Sequence, residues 1–531
     1  MPKQVASVEC TVGGGENLKK TQSESSRGTA KETQSGLAPW SVAELPAPPL
    51  TKGMGFLGVI GPGAIILGAS IGSGEWLLGP AAFVKYGMSL LWITSVAAFL
   101  QTVLNTELIR YTLYTGEPAL VGFMRTKPHA TFWACVYALF YFLQVGWPAW
   151  AGAAAGAIFY LFGGELAGAA HASTVYWIGA GVFMTCVLIL LSGRRIERTL
   201  ELLNWVLVVM ILGGLTLLCL FFANGSRWIE AGLGFFGFSV PTGQFSFFPV
   251  GVDWFLIGAF AAYSAAGGVV NLTLSNWARD KGFGMGKVVG FIPAAIGGQA
   301  IPLAHTGSTF RVTAESLTHW RSWWRIVQVD QWGVFFVGAL LGMGLPAILY
   351  TSFLRAGEDI RDLAIATALA DAMAAQSGAM VGFLVAMMSV WMLFKTQLDV
   401  LEGTVRAVTD ILWTGSDRIH HWTGGEVRLV YYSVLAAVVT WGVIALGLAQ
   451  PIILLQLSAN IAGVVFVISA LHILYVNTTF LPKELQPPLW RRLALVLMAL
   501  FYGFFVYLWL MGGLVPDPEK GFLFMSWKGR V

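Results

Sequence analysis

Glu75 is a carboxylate within an apolar stretch, and it directly follows Gly72, Ser73 and Gly74. A helix interrupted inside the hydrocarbon leaves backbone N–H and C=O groups without partners, which is tolerated only where they are buried in protein or line a cavity. An ionisable side chain at that depth costs about 2.5–3.5 kcal/mol on insertion scales and indicates a function or a partner. Glu75 could coordinate a metal or other cation, or carry a proton. Alternatively, it forms a structural ion pair or caps a half-helix N-terminus.

A second interruption of the same kind lies in the second half of the chain. Residues 263–271 read Tyr-Ser-Ala-Ala-Gly-Gly-Val-Val-Asn. Tyr263, Ser264 and Gly267 are therefore candidates for binding a substrate, like Gly72 and Ser73 in the first interruption. Paired interruptions at matching places in two halves are typical of a transporter's central binding site.

A row of charged side chains lies in a later apolar span. It is spaced at i, i+4, i+7 and i+11 and consists of Lys395, Asp399, Glu402 and Arg406. This spacing places the row within roughly a 60° arc of one helix face. The row could reach Glu75 and form a proton relay with it, or it could be a self-contained ladder of salt bridges that stabilises packing.

Two amide side chains in another span, Gln456 and Asn460, share one helix face because they are four residues apart. They either contact a bound ion or form ordinary hydrogen bonds between helices. The sequence contains no phosphate-binding loop and no nucleophile–base arrangement in the required context. We therefore expect neither a cofactor nor enzymatic activity.

The composition indicates a polytopic membrane protein. Of the 531 residues, 56% are hydrophobic and only 11% are charged, and the mean hydropathy is +0.69. So few charges cannot cover a soluble surface, whereas the 22 tryptophans suit bilayer interfaces. Lysines and arginines cluster beside apolar spans, as topology signals do, so the expected partner is the lipid bilayer and no nucleic-acid partner is expected.

Apolar stretches of membrane-spanning length, separated by more polar segments, predict eleven transmembrane helices. They cover residues 57–87, 88–116, 130–162, 174–192, 198–223, 251–278, 331–355, 377–412, 427–448, 451–478 and 488–513. With the N-terminus in the cytoplasm, most lysines and arginines fall on cytoplasmic segments. Because the first ten helices form two sets of five that each open with an interrupted helix, we predict an all-α, LeuT-type five-plus-five inverted repeat in which helices 1 and 6 are discontinuous.

The domain organisation follows from these spans. We predict a disordered cytoplasmic tail (1–54), a first repeat (55–223), a second repeat (251–480) with a long cytoplasmic loop (279–330), an eleventh helix (488–513) and a C-terminal tail (514–531). Residues 319–325 read His-Trp-Arg-Ser-Trp-Trp-Arg, which is typical of a membrane-surface anchor, with a role in gating as the alternative. The polar start favours a bacterial inner (cytoplasmic) membrane, and the oligomeric state is not predicted.

Several short motifs resemble the Nramp family of divalent metal transporters. They are Gly61-Pro-Gly63, Leu90-Leu-Trp92, Tyr114-Thr-Gly116 and Asn271-Leu-Thr-Leu-Ser275. The resemblance covers residues 55–480 and implies a LeuT-type fold, alternating access and proton-linked uptake of divalent transition metals. It also implies that Gly72 stands at the family's metal-binding Asp position, that Glu75 stands at its Asn position, and that Gln456 lies near an ion-binding Gln.

The metal motifs of that family are replaced here. Residues 72–75 stand in place of Asp-Pro-Gly-Asn, and residues 263–268 contain no Met-Pro-His, so the soft thioether that favours transition metals is missing. Two functions remain open beside a third, a channel or a non-transporting membrane receptor, which only the membrane spans support. One is a secondary transporter of a cation, with a divalent metal as the leading candidate and protons as the candidate coupling ion. The other is a carrier of an amino acid or another small organic solute.

Overall fold

The computed structural model describes residues 34–49, 61–192, 196–249, 251–290, 306–360, 364–416, 419, 427–448 and 450–514. The α-helices are α1 (Pro62–Ser70), α2 (Gly79–Tyr86), α3 (Leu91–Thr115), α4 (Ala119–Met124), α5 (Ala130–Val145), α6 (Ala149–Gly163), α7 (Ala172–Ser192), α8 (Ile196–Phe222), α9 (Gly225–Gly234), α10 (Trp254–Tyr263), α11 (Val269–Asp280), α12 (Gly286–Val289), α13 (Ala314–Gln328), α14 (Val337–Phe353), α15 (Ala368–Ser377), α16 (Ala379–Gly415), α17 (Val427–Ala445), α18 (Pro451–Thr479) and α19 (Leu489–Leu514).

Short elements complete the described fold. The π-helical turns are Gly74–Leu78 and Val329–Phe336, and the 3-10 turns are Met88–Leu90, Ala169–His171 and Lys483–Leu485. Strand β1 (Ser41–Val42) pairs in parallel with β4 (Ser308–Thr309), and β2 (Phe238–Ser239) pairs antiparallel with β3 (Gln244–Phe245).

The protein is a multi-pass membrane protein. Within the described ranges, nine helices are long and apolar enough to cross a bilayer. They correspond to the predicted helices 2–5 and 7–11. The predicted helices 1 and 6 are not among the nine, because each is interrupted and neither half is long enough to cross alone. The total of eleven crossings stays a prediction.

Both predicted interruptions are present. Helix α1 ends at Ser70, and the chain turns before the π-helical turn Gly74–Leu78 leads into α2. In the second broken helix, residues 264–268 separate α10 from α11, with φ angles of +124° at Gly267 and +54° at Gly268. Such angles favour glycine because it has no Cβ. Every residue of α1 and α11 is buried, so these half-helices lie in the core of the protein.

The predicted loop 279–330 is partly helical. Helix α13 begins at Ala314 and continues through a π-helical turn into α14, so that Ala314–Phe353 is one unbroken helical run. The interpretation of residues 319–325 as a membrane-surface anchor is wrong for two of their tryptophans. Trp320 and Trp323 are buried against the protein, next to Phe310 and Phe283 respectively.

The prediction of a disordered tail is wrong for residues 34–49, which we call the strap. Trp40 is buried, with its ring 6.3 Å from that of Tyr114 and 6.1 Å from that of Phe480. Trp323 Nε1 donates a hydrogen bond of 2.8 Å to the carbonyl oxygen of Pro46. Indole burial and backbone pairing therefore hold the strap in place. The rest of the predicted tail, residues 1–33 and 50–54, lies outside the described residues.

A buried ion pair anchors the strap. Glu117 accepts hydrogen bonds from Arg125 Nε at 2.8 Å and from Gly307 N at 2.8 Å, and Arg125 Nη1 donates to the carbonyl oxygen of Ala38 at 3.0 Å. Burial alone would raise the pKa of Glu117, but the Arg125 guanidinium outweighs burial and holds that pKa below its usual range.

Candidate functional site

The two breaks touch each other at glycine positions. An added Cβ at Gly74 would overlap the carbonyl oxygen of Tyr263, so only glycine fits at this contact. An added Cβ at Gly72 would overlap the hydroxyl of Thr396 on α16. The first break therefore lies between the second break and α16, and the structure brings together the two segments that the sequence singled out.

Glu75 is fully buried in the π-helical turn of the first break. Neither carboxyl oxygen has a hydrogen-bond partner among the described residues, and the nearby Ser70 hydroxyl donates instead to the carbonyl oxygen of Leu67 at 2.6 Å. The side chain packs on α14, where an added Cβ at Gly342 would lie 3.4 Å from Glu75 Cγ. The structural alternatives for Glu75, an ion pair or a helix cap, are therefore not present in the described part of the chain. A bound proton or cation would remove the cost of burying this carboxylate alone.

The second break is held by side-chain amides of neighbouring helices. Gln144 on α5 accepts from Val269 N at 2.9 Å and donates to the carbonyl oxygen of Gly267 at 3.0 Å. Gln101 on α3 accepts from Ala266 N at 2.9 Å. These bonds replace the helical hydrogen bonds that the break removes. Sequence reasoning missed both glutamines, although a glutamine within an apolar span was a usable signal.

Tyr263 and Ser264, two predicted substrate-binding residues, already have partners inside the protein. The Tyr263 hydroxyl lies 2.5 Å from Ser458 Oγ, and its ring stacks on Trp150 with 6.5 Å between centroids. Ser264 Oγ donates to the carbonyl oxygen of Phe260 at 2.7 Å. In this conformation their side chains support the second break.

Ser73 lies in the first break, and the amide pair Gln456 and Asn460 lies on α18. Ser73 Oγ donates to the carbonyl oxygen of Ser70 at 3.0 Å. Asn460 Nδ2 donates to the carbonyl oxygen of Phe255 on α10 at 2.8 Å, as the interhelical alternative predicted. The buried Nε2 of Gln456 has no hydrogen-bond partner among the described residues.

The charged row on α16 pairs within itself. Lys395 forms a buried ion pair with Asp399, and Glu402 forms one with Arg406. Asn204 on α8 adds a hydrogen bond of 3.2 Å to Asp399 Oδ1. These contacts fit the salt-bridge ladder, and Glu75 has no hydrogen bond to the row.

The C-terminal end of this row forms ion pairs with residues of α11. Arg406 also pairs with Asp280, whose other carboxyl oxygen accepts from Arg279 Nε at 2.6 Å. Arg279 Nη1 reaches back to Asp410 on α16 at 2.7 Å. Glu402, a predicted member of the proton-coupling network, thus belongs to an ion cluster that ties α16 to the second broken helix.

Comparison with solved structures establishes the fold. The chain is similar to the crystal structure of the Eremococcus coleocola manganese transporter in complex with an aromatic bis-isothiourea substituted compound, with 14% identity, a TM-score of 0.58 and coverage of 92% of this chain and 95% of that chain. A histidine-to-alanine variant of that transporter gives 15% identity and a TM-score of 0.59, covering 92% and 94%. No family model and no curated protein matches the sequence. The structural likeness confirms the LeuT-type fold.

Proposed function

We propose that this protein is a secondary active transporter, related to the Nramp family, that moves a cation across the membrane by alternating access. One observation carries the proposal: Glu75 is a buried carboxyl group that has no hydrogen-bond partner among the described residues, at the place where the two broken helices touch. A cation or proton that binds there neutralises a charge that the described residues leave uncompensated.

The proposed cargo is a hard divalent cation such as Mg²⁺, Mn²⁺ or Ca²⁺. Glu75, Ser73 and Gln456, with carbonyl oxygens of the first break, supply oxygen ligands, which these ions prefer. Among the described residues, no group of three or more His, Cys, Asp or Glu side chains could hold a metal ion. The structural neighbour named a manganese transporter supports a divalent metal as cargo, and protons are the proposed coupling ion.

Uptake by proteoliposomes tests this function. We expect Mn²⁺, Mg²⁺ or Ca²⁺ to enter vesicles that contain the protein, and Glu75→Gln to abolish that uptake because the neutral amide cannot replace the charged ligand. Glu165→Gln is the matched control, since the side chain of Glu165 is 64% exposed. Uptake that survives Glu75→Gln would contradict the proposal.

The second candidate is a carrier of an amino acid or a similar organic solute. The stacked rings of Tyr263 and Trp150 favour it, because they form an aromatic wall beside the second break. Uptake of radiolabelled amino acids in the presence of EDTA distinguishes the two: solute uptake without any metal supports the carrier, and its absence beside metal uptake supports the cation transporter.

The proposed membrane arrangement follows the sequence prediction. The protein lies in a bacterial cytoplasmic membrane with its N-terminus in the cytoplasm, and residues 55–223 and 251–480 form the two inverted repeats. A transporter of this kind moves its cargo unchanged, so the proposal includes no enzymatic activity.

A further inference from the structure

A chain of buried amides runs from the second break towards the start of α1. Gly267 N donates to Asn271 Oδ1 at 2.9 Å, and Asn271 Nδ2 donates to Asn105 Oδ1 at 2.9 Å. Asn105 Nδ2 donates to Gln331 Oε1 at 3.1 Å, and Gln331 Nε2 donates to Asp330 Oδ2 at 2.8 Å. All four side chains are fully buried, and they come from α11, α3 and the π-helical turn before α14.

Asp330 ends this chain and caps α1. Its Oδ1 accepts from Gly61 N at 2.9 Å, and its Oδ2 accepts from Gly63 N at 2.8 Å. The first N–H groups of a helix lack partners within the helix, and a carboxylate there also favours the helix dipole. An added Cβ at Gly63 would overlap the backbone oxygen of Asp330, so the two elements are in direct contact. The start of α1 is thus held by a residue far away in sequence.

Every link in the chain points the same way. Each of Asn271, Asn105 and Gln331 accepts through its oxygen and donates through its nitrogen. Hydrogen bonds aligned in this way polarise one another in a low-dielectric interior. Removing one link leaves buried polar groups of its neighbours without partners, which costs more than the bond itself contributes.

We infer that Asp330, Gln331, Asn105 and Asn271 are positioning residues that lock the start of α1 to the second break. The purpose of this lock rests on the proposed transport function, because alternating access requires one part of a broken-helix bundle to move against the rest. Moving α1 away breaks the two Asp330 bonds. Since Asp330 is tied to Gly267, the state of the second break sets how firmly α1 is held.

The competing explanation is that Asp330 is only a local helix cap. Asp253 provides the matched comparison, because its Oδ1 caps α10 of the other broken helix through Phe255 N at 3.0 Å and Leu256 N at 3.2 Å. That cap is made within its own segment and is no part of the amide chain. A variant of Asp253 therefore reports what the loss of a cap alone does.

The test uses a single cysteine as a reporter of α1. Ser70, the last residue of α1, is fully buried and is replaced by cysteine in a protein whose four native cysteines are changed to alanine. The modification rate by a membrane-impermeant thiol reagent is measured from each side of reconstituted vesicles. We expect Asp330→Asn to raise the rate on one side by about tenfold, which corresponds to one lost charge-assisted hydrogen bond. Asp253→Ala, which removes the cap of α10, leaves the rate within about twofold.

The decisive variant is Asn105→Leu, which cuts the chain and leaves the Asp330 cap in place. A lock predicts that Asn105→Leu also raises the modification rate, and that the double variant with Asp330→Asn is no faster than Asp330→Asn alone, because both break one chain. A local cap predicts an unchanged rate for Asn105→Leu, and this result would overturn the inference. If thermal unfolding shows that Asp330→Asn is not folded, the test rests on Asn105→Leu alone.

The reporter needs no cargo. If no cation is transported but Asn105→Leu exposes Ser70→Cys, the lock stands while the proposed function fails. If cations are transported but the reporter rate is unchanged in Asn105→Leu, the lock fails and the function stands.

Discussion

At the second break, side chains from α3 and α5 satisfy the interrupted backbone, whereas the first break contains a carboxyl group that makes no hydrogen bond within the described residues. Gln144 and Gln101 serve the second break as fixed replacements for helical bonds. Glu75 in the first break is buried to the same extent but has no such partner. Both segments are interrupted by glycines, yet within the part of the chain that the structure describes only the first break carries an ionisable group without a hydrogen-bond partner.

This difference distinguishes two roles, structural support and ion binding, which the sequence pattern does not distinguish. A break whose polar groups are satisfied by protein is a stable structural feature. A buried carboxyl group without a partner lowers the stability of the protein. Such a group is retained where it serves binding. We therefore assign support to the second break and ion binding to the first. The following predictions test this division through the free energy of unfolding.

Glu117→Gln tests the opposite case, a carboxylate with partners, and has the largest expected effect. The pair with Arg125 is buried, with side-chain exposures of 4% and 1%. Removing its charge should lower the free energy of unfolding by about 3–5 kcal/mol, because Arg125 stays buried without a counter-ion. Thermal unfolding in detergent measures this loss, and a change below about 1 kcal/mol would contradict the anchor.

The same pair predicts a dependence on pH. The pKa of Glu117 is lowered by Arg125 in the folded protein, so its contribution is fully present above the unfolded-state pKa of about 4.3 and is lost as the pH falls through the folded value. The protection of the strap amides from hydrogen exchange, taken relative to the intrinsic exchange rate at each pH, should therefore be high at neutral pH and fall below about pH 4. In Glu117→Gln, this protection should already be low at neutral pH.

Gln144→Leu tests the support of the second break. It leaves Val269 N–H and the Gly267 carbonyl buried without their partner, and we expect a loss of about 2–5 kcal/mol in the free energy of unfolding. Gln456→Leu is the matched control, because the Nε2 of Gln456 has no hydrogen-bond partner among the described residues; its loss should stay within about 1 kcal/mol. Equal losses in both variants would break the comparison.

Gly74→Ala tests the contact between the breaks. The new Cβ overlaps the Tyr263 carbonyl oxygen, so the backbones must separate, at a cost of about 1–3 kcal/mol. Gly342→Ala adds the same methyl group at an ordinary 3.4 Å contact with Glu75 Cγ and should be nearly neutral. Thermal unfolding and uptake both report the outcome. A stable and active Gly74→Ala would show that the contact is dispensable.

Glu75→Gln has the smallest expected effect on stability. The substitution removes no hydrogen bond made by the described residues, so the free energy of unfolding should change by less than about 1 kcal/mol while uptake is lost. A large destabilisation would reveal that Glu75 has a structural partner. The polar groups of the first break would then be satisfied by the protein, like those of the second break.

The broken helices were predictable because the cause lies in the local sequence. Glycine clusters inside apolar spans disfavour continuous helix wherever they occur. The pairing within α16 was predictable too, since i, i+4 spacing brings Lys395 and Asp399 together in any helix.

The remaining features depend on partners far away in sequence. Gln101 and Asn105 are separated by four residues on α3, but nothing local shows that they meet the second break and Gln331. Trp40 lies in a polar, tail-like stretch, and only the pocket formed with Tyr114 and Phe480 makes it a buried anchor. The sequence indicated that Glu75 needs a reason to be buried, but whether a partner exists was a question of tertiary structure.

Labelling of Glu75 by a hydrophobic carbodiimide, read by peptide mass spectrometry, tests the central claim most directly. Such reagents react with protonated carboxyl groups in the apolar phase of a membrane. The account predicts that Glu75 is labelled in the empty transporter and that a saturating transported cation protects it, while Glu165 labelling stays unchanged. Glu75 labelling that no Mg²⁺, Mn²⁺ or Ca²⁺ concentration alters would contradict a cation site at the first break.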